Sequence, residues 1–271
     1  LPMAIDRTKA AGLFEERLSA RVFEAMPETS VAFASLPTQP MSDKTERMPV
    51  LEALPTAGFL ANDLDAKPQS DVTWGNKVLT AEEIAVIVSI SESAIADSKI
   101  DIISKTEDLI FQEFGRIIDA AVYQGTNTPA SWPTGGLCGI AETATNEIVQ
   151  GAAPTSADII NDLNALYALV EEGGGSVTHF GAGRPMRASL RGLTAGSNGH
   201  VYQPTMGPAN PESVYGVPVR YPLSWNNTND LAVAVDTSAT ILGLRETVEV
   251  KVLTEATLTG FGNLAEKDSI A

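Results

Sequence analysis

Cysteine, histidine and clustered basic residues are all scarce in this sequence. The single cysteine, Cys138, excludes an internal disulfide and any metal site built from several thiolates. No apolar run reaches the roughly 18–20 residues needed to span a bilayer. No stretch has the basic start and apolar core of a secretory leader. With 271 residues, 44% of them hydrophobic, the chain suits one large or two small globular domains.

Positive charge is the second deficit. The chain has 18 Lys and Arg against 34 Asp and Glu, for a net charge of −16. The longest basic grouping runs only from Arg184 to Arg191. Phosphate backbones are bound by clustered Lys and Arg, so we do not expect sequence-specific nucleic-acid binding. An acidic surface suits a container wall that must not adhere to polyanionic contents, or it serves solubility alone; both interpretations stay open.

Catalytic constellations are also missing. His179 lies in a predicted buried strand, His200 lies in a Gly/Asn loop, and Cys138 has no base beside it. The run 173–176 lacks the Lys-Ser/Thr ending of a phosphate loop and follows a helix. Neither a nucleophile elbow nor a His-Glu-x-x-His helix occurs. The sequence therefore predicts no enzyme, and no catalytic, cofactor-binding or metal-ligating residues.

What the chain does have is a long proline-broken stretch from Ser35 to Thr80. Its prolines exclude a long helix, and apolar pieces survive between them at 48–51, 57–60 and 72–74. The prolines are Pro37, Pro40, Pro49, Pro55 and Pro68. These pieces predict an extended two-stranded ribbon over 45–80. Because a lone ribbon is marginal in water, we expect it to pack on another molecule, which favours an assembly protein.

The remaining pattern alternates helices and short strands. A long helix over 100–124 is predicted to end at Gly125, with Ser156 as N-cap of a later helix. The inward face of the helix over 100–124 is predicted to hold Ile103, Ile110, Phe114, Ile117 and Ala121. Its polar side is predicted to hold Lys105, Asp108, Glu113, Arg116 and Asp119. Other helices are predicted over 10–26, 157–172 and 185–193, a turn or short helix over 94–97, a loop over 126–139, and strands over 31–36, 84–90, 177–180, 217–219, 231–235, 239–242 and 248–253.

Several segments together resemble the major capsid proteins of tailed bacteriophages, whose fold is named after phage HK97. The stretch 35–59 resembles the entry to the family's E-loop, and 110–126 resembles its spine helix. The segments 86–98, 133–140, 215–219 and 231–255 resemble the strand before that helix, the loop after it, the Gly-x-Pro-Val strand and the final sheet. The resemblance covers nearly the whole chain.

The resemblance implies an α+β, HK97-like capsid fold in four parts. These are an N-terminal arm over 1–34, an extended β-hairpin E-loop over 35–82, a peripheral domain with the long spine helix over 83–150 together with 246–271, and an axial domain with a mixed sheet and flanking helices over 151–245. It also implies that a scaffolding segment precedes Leu1 and that one more strand follows Ala271. The loop 224–230 is expected at the tip of the axial domain, near the centre of a capsomer.

The function implied is that of a shell protein without cofactors. Copies would form hexamers and pentamers of an icosahedral virion capsid that encloses double-stranded DNA, assembled in the host cytoplasm. Portal, scaffold and decoration proteins are possible partners, and no membrane is involved. The alternatives are an encapsulin-like compartment that encloses a cargo enzyme, and a monomeric enzyme of unknown chemistry.

Some family members join neighbouring subunits covalently, through an E-loop lysine and an asparagine near the final strand. The ribbon offers Lys67 and Lys77, but the corresponding C-terminal position holds Asp268, with Asn263 nearby. A carboxylate is a poor acyl donor at neutral pH because it is ionised. We therefore expect a shell without covalent cross-links.

Overall fold

The computed structural model describes two compact units. The described residues are 25–26, 28–59, 67, 69–91, 93, 97, 102–193, 213–226, 230–245, 257–258, 262–263 and 269–270. The first unit comprises 1–38, 84–242 and 247–271, and the second comprises 39–83 and 243–246. The four-part division expected from the sequence stays a prediction.

Five helices have described bounds. They are α1 (Val31–Ser35), α2 (Ile102–Gln124), α3 (Gly136–Thr143), α4 (Ser156–Glu172) and α5 (Arg184–Arg191). Among the described residues, no helix is both long and apolar enough to cross a membrane.

The strands are short apart from two. They are β1 (Thr38–Pro40), β2 (Thr45–Ala53), β3 (Thr73–Thr80), β4 (Ile90–Ser91), β5 (His179–Ala182), β6 (Ser213–Val214), β7 (Val217–Arg220), β8 (Ala232–Val235), β9 (Leu242–Leu244), β10 (Thr257–Leu258), β11 (Gly262–Asn263) and β12 (Ser269–Ile270). β1 pairs with β9, β4 with β12, and β10 with β11. Helices and strands together give the α+β class that the sequence predicted.

A four-stranded sheet organises the first unit, in the order β6-β7-β5-β8. β5 runs parallel to β7 and antiparallel to β8. One face presents Phe180 to a core that includes Leu163 of α4 and Leu190 of α5. The opposite face presents Val233 and Val235 to a core that includes Tyr123 of α2. The first unit is therefore layered, with the sheet between two groups of helices.

The long helix α2 is confirmed, but its buried face is rotated from the predicted one. Phe111 and Ile118 are buried, whereas Ile110, Phe114 and Ile117 are half-buried. Ala121 is buried as predicted. Asp119, which was assigned to the polar side, is 2% exposed, so that assignment is wrong. The spacing of apolar residues could not predict that a buried carboxylate accepts hydrogen bonds from the distant segment 30–32.

Glycine and threonine set the helix ends. Gly125 follows α2 with φ of 62°, a left-handed conformation that side chains disfavour, as the predicted helix stop requires. α4 is capped by Thr155 rather than by the predicted Ser156. Thr155 Oγ1 accepts from Asp158 N at 3.3 Å, and Thr155 N donates to Asp158 Oδ2 at 2.8 Å. This reciprocal capping box satisfies two donors that a one-residue shift would leave open.

Three further predictions are wrong. The expected strand over 31–36 is the helix α1, because Ser30 caps it and accepts from Phe33 N at 3.3 Å. The expected buried strand over 84–90 is an irregular segment in which Ile84, Val86 and Ile87 are exposed, and only Ile90–Ser91 is a strand. The expected loop contains α3, which begins at Gly136 after the N-cap Gly135, and both glycines have positive φ.

Other boundaries shift by a few residues. The strands predicted over 177–180 and 239–242 are β5 and β9, displaced toward the C-terminus, and the helix predicted over 185–193 is α5. β7 and β8 confirm the predicted strands over 217–219 and 231–235. The helix over 10–26 lies almost wholly outside the described residues. The predicted strand over 248–253, His200 and Asp268 also lie outside the described residues, and of the predicted turn or short helix over 94–97 only Asp97 is described.

The second unit consists mainly of the predicted ribbon, which is confirmed. β2 and β3 pair antiparallel from Thr45↔Thr80 to Ala53↔Thr73, with a register shift between Leu51 and Ala53. Ala81 N donates to Lys44 O at 2.8 Å, and Lys44 Nζ lies 3.6 Å from Glu82 Oε2. These contacts hold the two strands together at the open end of the hairpin.

Candidate functional site

The ribbon has two unlike faces, because side chains alternate along each strand. One face carries Met48 and Leu79, which are half-buried. The other face carries Leu51 and Trp74, which are direct cross-strand partners, together with Val78. These three side chains are 40%, 65% and 55% exposed. We call them the ribbon stripe.

Beyond the register shift, the ribbon exposes still more apolar surface. Leu54 is 73% exposed, and Phe59 is fully exposed. The two arms stay linked there, since Thr56 N donates to Ser70 Oγ at 2.7 Å. Apolar side chains exposed side by side in this way mark interaction sites rather than ordinary surface. The ribbon stripe and its extension are therefore the leading candidate for a functional surface.

The chain reaches the ribbon through α1, whose N-terminus is fixed by Asp119 of α2. Asp119 Oδ1 accepts from Ser30 Oγ at 2.7 Å and from Ala32 N at 2.9 Å, while Oδ2 accepts from Val31 N at 3.0 Å. Burial raises the pKa of Asp119 and outweighs the opposing effect of these hydrogen bonds. A five-residue helix cannot hold itself in place, so this carboxylate positions the start of the segment that leads into the second unit.

A close backbone approach also links α2 to the segment that precedes α1. The segment before α1 crosses α2 at Gly115, where a Cβ would lie 2.8 Å from the carbonyl carbon of Thr29. Only glycine permits that backbone contact. Sequence periodicity predicted neither Gly115 nor Asp119 as a contact residue. The available signals were a glycine in the middle of a helix and an aspartate flanked by Ile117, Ile118, Ala120 and Ala121.

His179 is buried between the sheet and α2. Its Nε2 lies 3.1 Å from the Tyr123 hydroxyl, and the Tyr123 ring also contacts Trp225, with centroids 5.8 Å apart. Burial, with the nearby Arg220 charge, lowers the pKa of His179 to about 4, so the imidazole is neutral at pH 7. Burial raises the pKa of Tyr123 as well. The pair fills the interior, and His179 lies in a buried strand, as its sequence context predicted.

Cys138 likewise packs in the core, next to α2. Burial, reinforced by the charges of Asp230 and Glu142, raises the pKa of its thiol to about 12. The thiolate that a nucleophile needs is therefore absent at neutral pH. Among the described residues, no group of three or more His, Cys, Asp or Glu side chains is placed to hold a metal ion.

The loop 224–230 is described except for 227–229, and it is anchored to the end of α2. Gln124 Nε2 donates to Asn226 O at 2.7 Å and to Asp230 Oδ2 at 3.1 Å. Asn226 N donates to Gln124 Oε1 at 2.6 Å, and Trp225 Nε1 donates to Asp230 O at 2.8 Å. Trp225 is buried. Its expected place at the tip of the axial domain, near the centre of a capsomer, stays a prediction.

The residues considered for cross-linking are spread along the chain. Lys67 and Lys77 are exposed, with Lys77 opposite Met48 in the ribbon. Asn263 lies in β11, opposite Thr257. Whether any of them meets a neighbouring copy stays a prediction.

Comparison with known proteins identifies the family. The model of the Phage capsid family matches residues 11–270. A solved structure from Microbacterium phage Oxtober96 is 40% identical, with a TM-score of 0.76, and the match covers 89% of this chain and 81% of that one. Structures from Mycobacterium phages Bobi and Cain are 30% and 28% identical, each with a TM-score of 0.75. These matches cover 89% and 98% of this chain, and 80% and 88% of those chains.

A search of curated proteins gave no match. These three structural neighbours come from phages, so the encapsulin-like alternative is not favoured. An exposed apolar ribbon is what a subunit needs for contact with other subunits. The chain belongs to the phage capsid family and is a major capsid protein.

Proposed function

We propose that copies of this chain assemble into hexamers and pentamers of a closed icosahedral shell around double-stranded DNA, with the ribbon of each copy lying on a neighbour. The observation that carries the proposal is the exposure of the ribbon stripe, above all Trp74. A head-to-tail contact of ribbon on neighbour is heterologous, and such contacts form a ring when the rotation between successive copies closes.

The energetics favour a covered ribbon. Burial of apolar surface yields about 25 cal/mol per Å², and a large aromatic side chain buries roughly 150–250 Å². Covering Trp74, Phe59 and Leu54 would thus contribute several kcal/mol per subunit. Because every subunit of a shell donates one ribbon and receives another, this contribution is repeated at each contact.

The finer parts of the fold follow the same proposal. The ribbon serves as the E-loop, α2 as the spine helix of a peripheral domain, and the four-stranded sheet with α4 and α5 as the axial domain. The role is structural rather than catalytic. Neutral His179 and the protonated thiol of Cys138 support this, since both are buried and committed to packing.

The acidic chain also suits its proposed contents. A net charge of −16 per copy repels DNA phosphates, so the packaged DNA is held by the closed wall and not by specific binding. Assembly in the host cytoplasm, with portal, scaffold and decoration proteins as further partners, completes the proposal.

Electron microscopy and sedimentation of the purified full-length protein test the proposal. We expect the purified protein to form closed icosahedral particles of megadalton mass. In a separate measurement on virions, we expect the DNA to be protected from nuclease until the shell is opened. A protein that sediments only as a 28.5 kDa species under all assembly conditions would overturn it. Particles that hold an enzyme in place of DNA would restore the compartment alternative.

A further inference from the structure

Helix α5 concentrates positive charge on a strongly acidic protein. Arg184, Arg187 and Arg191 lie at helical spacing and are all exposed. Leu190 is buried in the core, and α5 contains no acidic residue. The guanidinium of Arg187 lies 5.5 Å from the ring centroid of Tyr221, a cation–π contact that restricts its motion. We call these three side chains the arginine face.

The same unit contains a cavity of opposite character, about 720 Å³ in volume. α3, the chain at 144–150, α4 and β8 line it. Its floor is apolar, with Leu163, Leu166 and Val170 of α4. Five carboxylates line it, and none of the described residues around it is Lys, Arg or His.

Three of these carboxylates form what we call the acidic rim: Glu142, Glu147 and Asp162. The other two already have donors inside the molecule. Asp230 accepts from Gln124, and Asp236 Oδ2 accepts from Ser176 N at 2.9 Å. Glu142 and Glu147 are exposed, and Asp162 is half-exposed with only a 3.5 Å contact from Gln150 Nε2. The acidic rim is therefore negative charge without a cation among the described cavity residues.

We propose that the arginine face of one copy docks on the acidic rim of a second copy. The inference rests on the proposed assembly and names a contact within it. Met186, on the inner side of α5, lines the cavity of its own copy. The arginines project from the other sides of the helix and so face away from that cavity. The two surfaces can meet only between copies, as a head-to-tail contact requires.

Charge decides against the other occupant that the chain offers. The ribbon beyond its paired strands has exposed apolar side chains, but residues 54–72 carry Asp63, Asp65 and Asp71 against a single Lys67. A net negative segment is repelled by the acidic rim. The arginine face is complementary, because guanidinium groups form directed hydrogen bonds with carboxylates.

Charge reversal tests the contact in the full-length protein. The double variant Arg184→Glu/Arg191→Glu and the double variant Glu142→Lys/Glu147→Lys should each lower the assembled fraction by about tenfold at low salt. The variant that combines all four changes should recover to within about twofold of wild type, since the charges are exchanged. The control matched to the Glu142/Glu147 variant is Glu171→Lys/Glu172→Lys. It changes the net charge by the same amount and sign, at exposed carboxylates outside the cavity, and should assemble normally.

Thermal unfolding of unassembled subunits shows whether each variant still folds. If the arginine variant does not fold, the Glu142/Glu147 variant is compared with the control alone. Normal assembly of both double variants, or no recovery in the combined variant, overturns the docking inference while leaving the shell intact. Normal shells that lose DNA retention only in the arginine variant would assign the arginine face to nucleic acid instead. A wild-type protein that never assembles would count against the proposed function itself.

Discussion

Ser30 donates a hydrogen bond of 2.7 Å to the buried carboxylate of Asp119, which lies 89 residues further along the chain. The same carboxylate accepts from the first two backbone amides of α1. One side chain of the longest described helix thus replaces the missing hydrogen-bond partners at the start of the shortest. This contact determines where the chain leaves the first unit toward the ribbon.

Removing the acceptor should destabilise the subunit. We expect Asp119→Ala to cost about 3 kcal/mol, because it leaves buried donors without partners, and Ser30→Ala to cost about 1 kcal/mol as a lost cap. Urea unfolding of unassembled subunits measures both. Gln112→Ala, at an exposed position of α2, is the control. Equal costs for Asp119→Ala and the control would contradict the assigned role.

The pH dependence of this site has an unusual sign for an aspartate. Burial holds the pKa of Asp119 above its ordinary value of 3.8, so the folded state binds the proton more tightly than the unfolded state does. Its contribution to stability is therefore largest below pH 3.8 and declines as the pH rises through the raised pKa. The stability of wild type relative to Asp119→Asn, measured by urea unfolding across this range, should fall with rising pH and then level off. An increase with pH would show that the pKa is depressed.

The ribbon stripe should matter for assembly and not for folding. Trp74→Ala removes an exposed side chain, so we expect unfolding of the lone subunit to change by less than about 0.5 kcal/mol. Assembly should weaken by about 2 kcal/mol per subunit, which raises the critical concentration roughly 30-fold. Light scattering measures that concentration. Leu223→Ala, at a 56% exposed site in the first unit, should leave it unchanged. A wild-type critical concentration in Trp74→Ala would argue against a covered ribbon.

The glycine that ends α2 should be intolerant of a side chain. Gly125 has φ of 62°, and a Cβ there would lie 2.4 Å from the Gly135 backbone. We expect Gly125→Ala to lower the unfolding free energy by about 2 kcal/mol or more. Gly151→Ala is the matched control, because a Cβ at Gly151 meets nothing within 4 Å. Comparable melting temperatures for the two variants would contradict the strain.

Covalent cross-links should be absent from the mature shell. Lys67 and Lys77 are available, but the expected partner position holds the carboxylate Asp268. Boiled particles should run as one monomer band on a denaturing gel. A ladder of oligomers that survives reduction would disprove this, and its loss in Lys77→Arg but not in Lys67→Arg would identify the reacting lysine.

Some of this structure was readable from the sequence for physical reasons. Prolines and apolar fragments between Ser35 and Thr80 predicted the ribbon, and Gly125 predicted the end of α2, because both depend on local backbone preferences. A strand was predicted at 31–35 because five residues are too few to show helical periodicity. Ser30 was the local N-cap signal for a helix, and the supporting contact with Asp119 comes from a distant segment. The apolar segment at 84–90 was predicted to be a buried strand. β propensity describes the residues themselves and does not show whether a partner strand lies beside them.

The acidic rim and the arginine face lay beyond sequence reasoning for a different cause. The sequence shows Arg184 to Arg191 as the longest basic grouping, but the residues of the acidic rim come from separate segments. Glu142, Glu147 and Asp162 approach one another only after α3 and α4 have packed around β8.

The 89-residue separation of Ser30 and Asp119 also orders events in time. A five-residue helix does not form alone, so α1 must wait until the chain through Asp119 has been synthesised and α2 has folded. The segment that precedes the ribbon is therefore completed late, although it comes early in the chain. A nascent first unit cannot close its core before Asp119 has left the ribosome, so this core forms from segments that are made far apart in time.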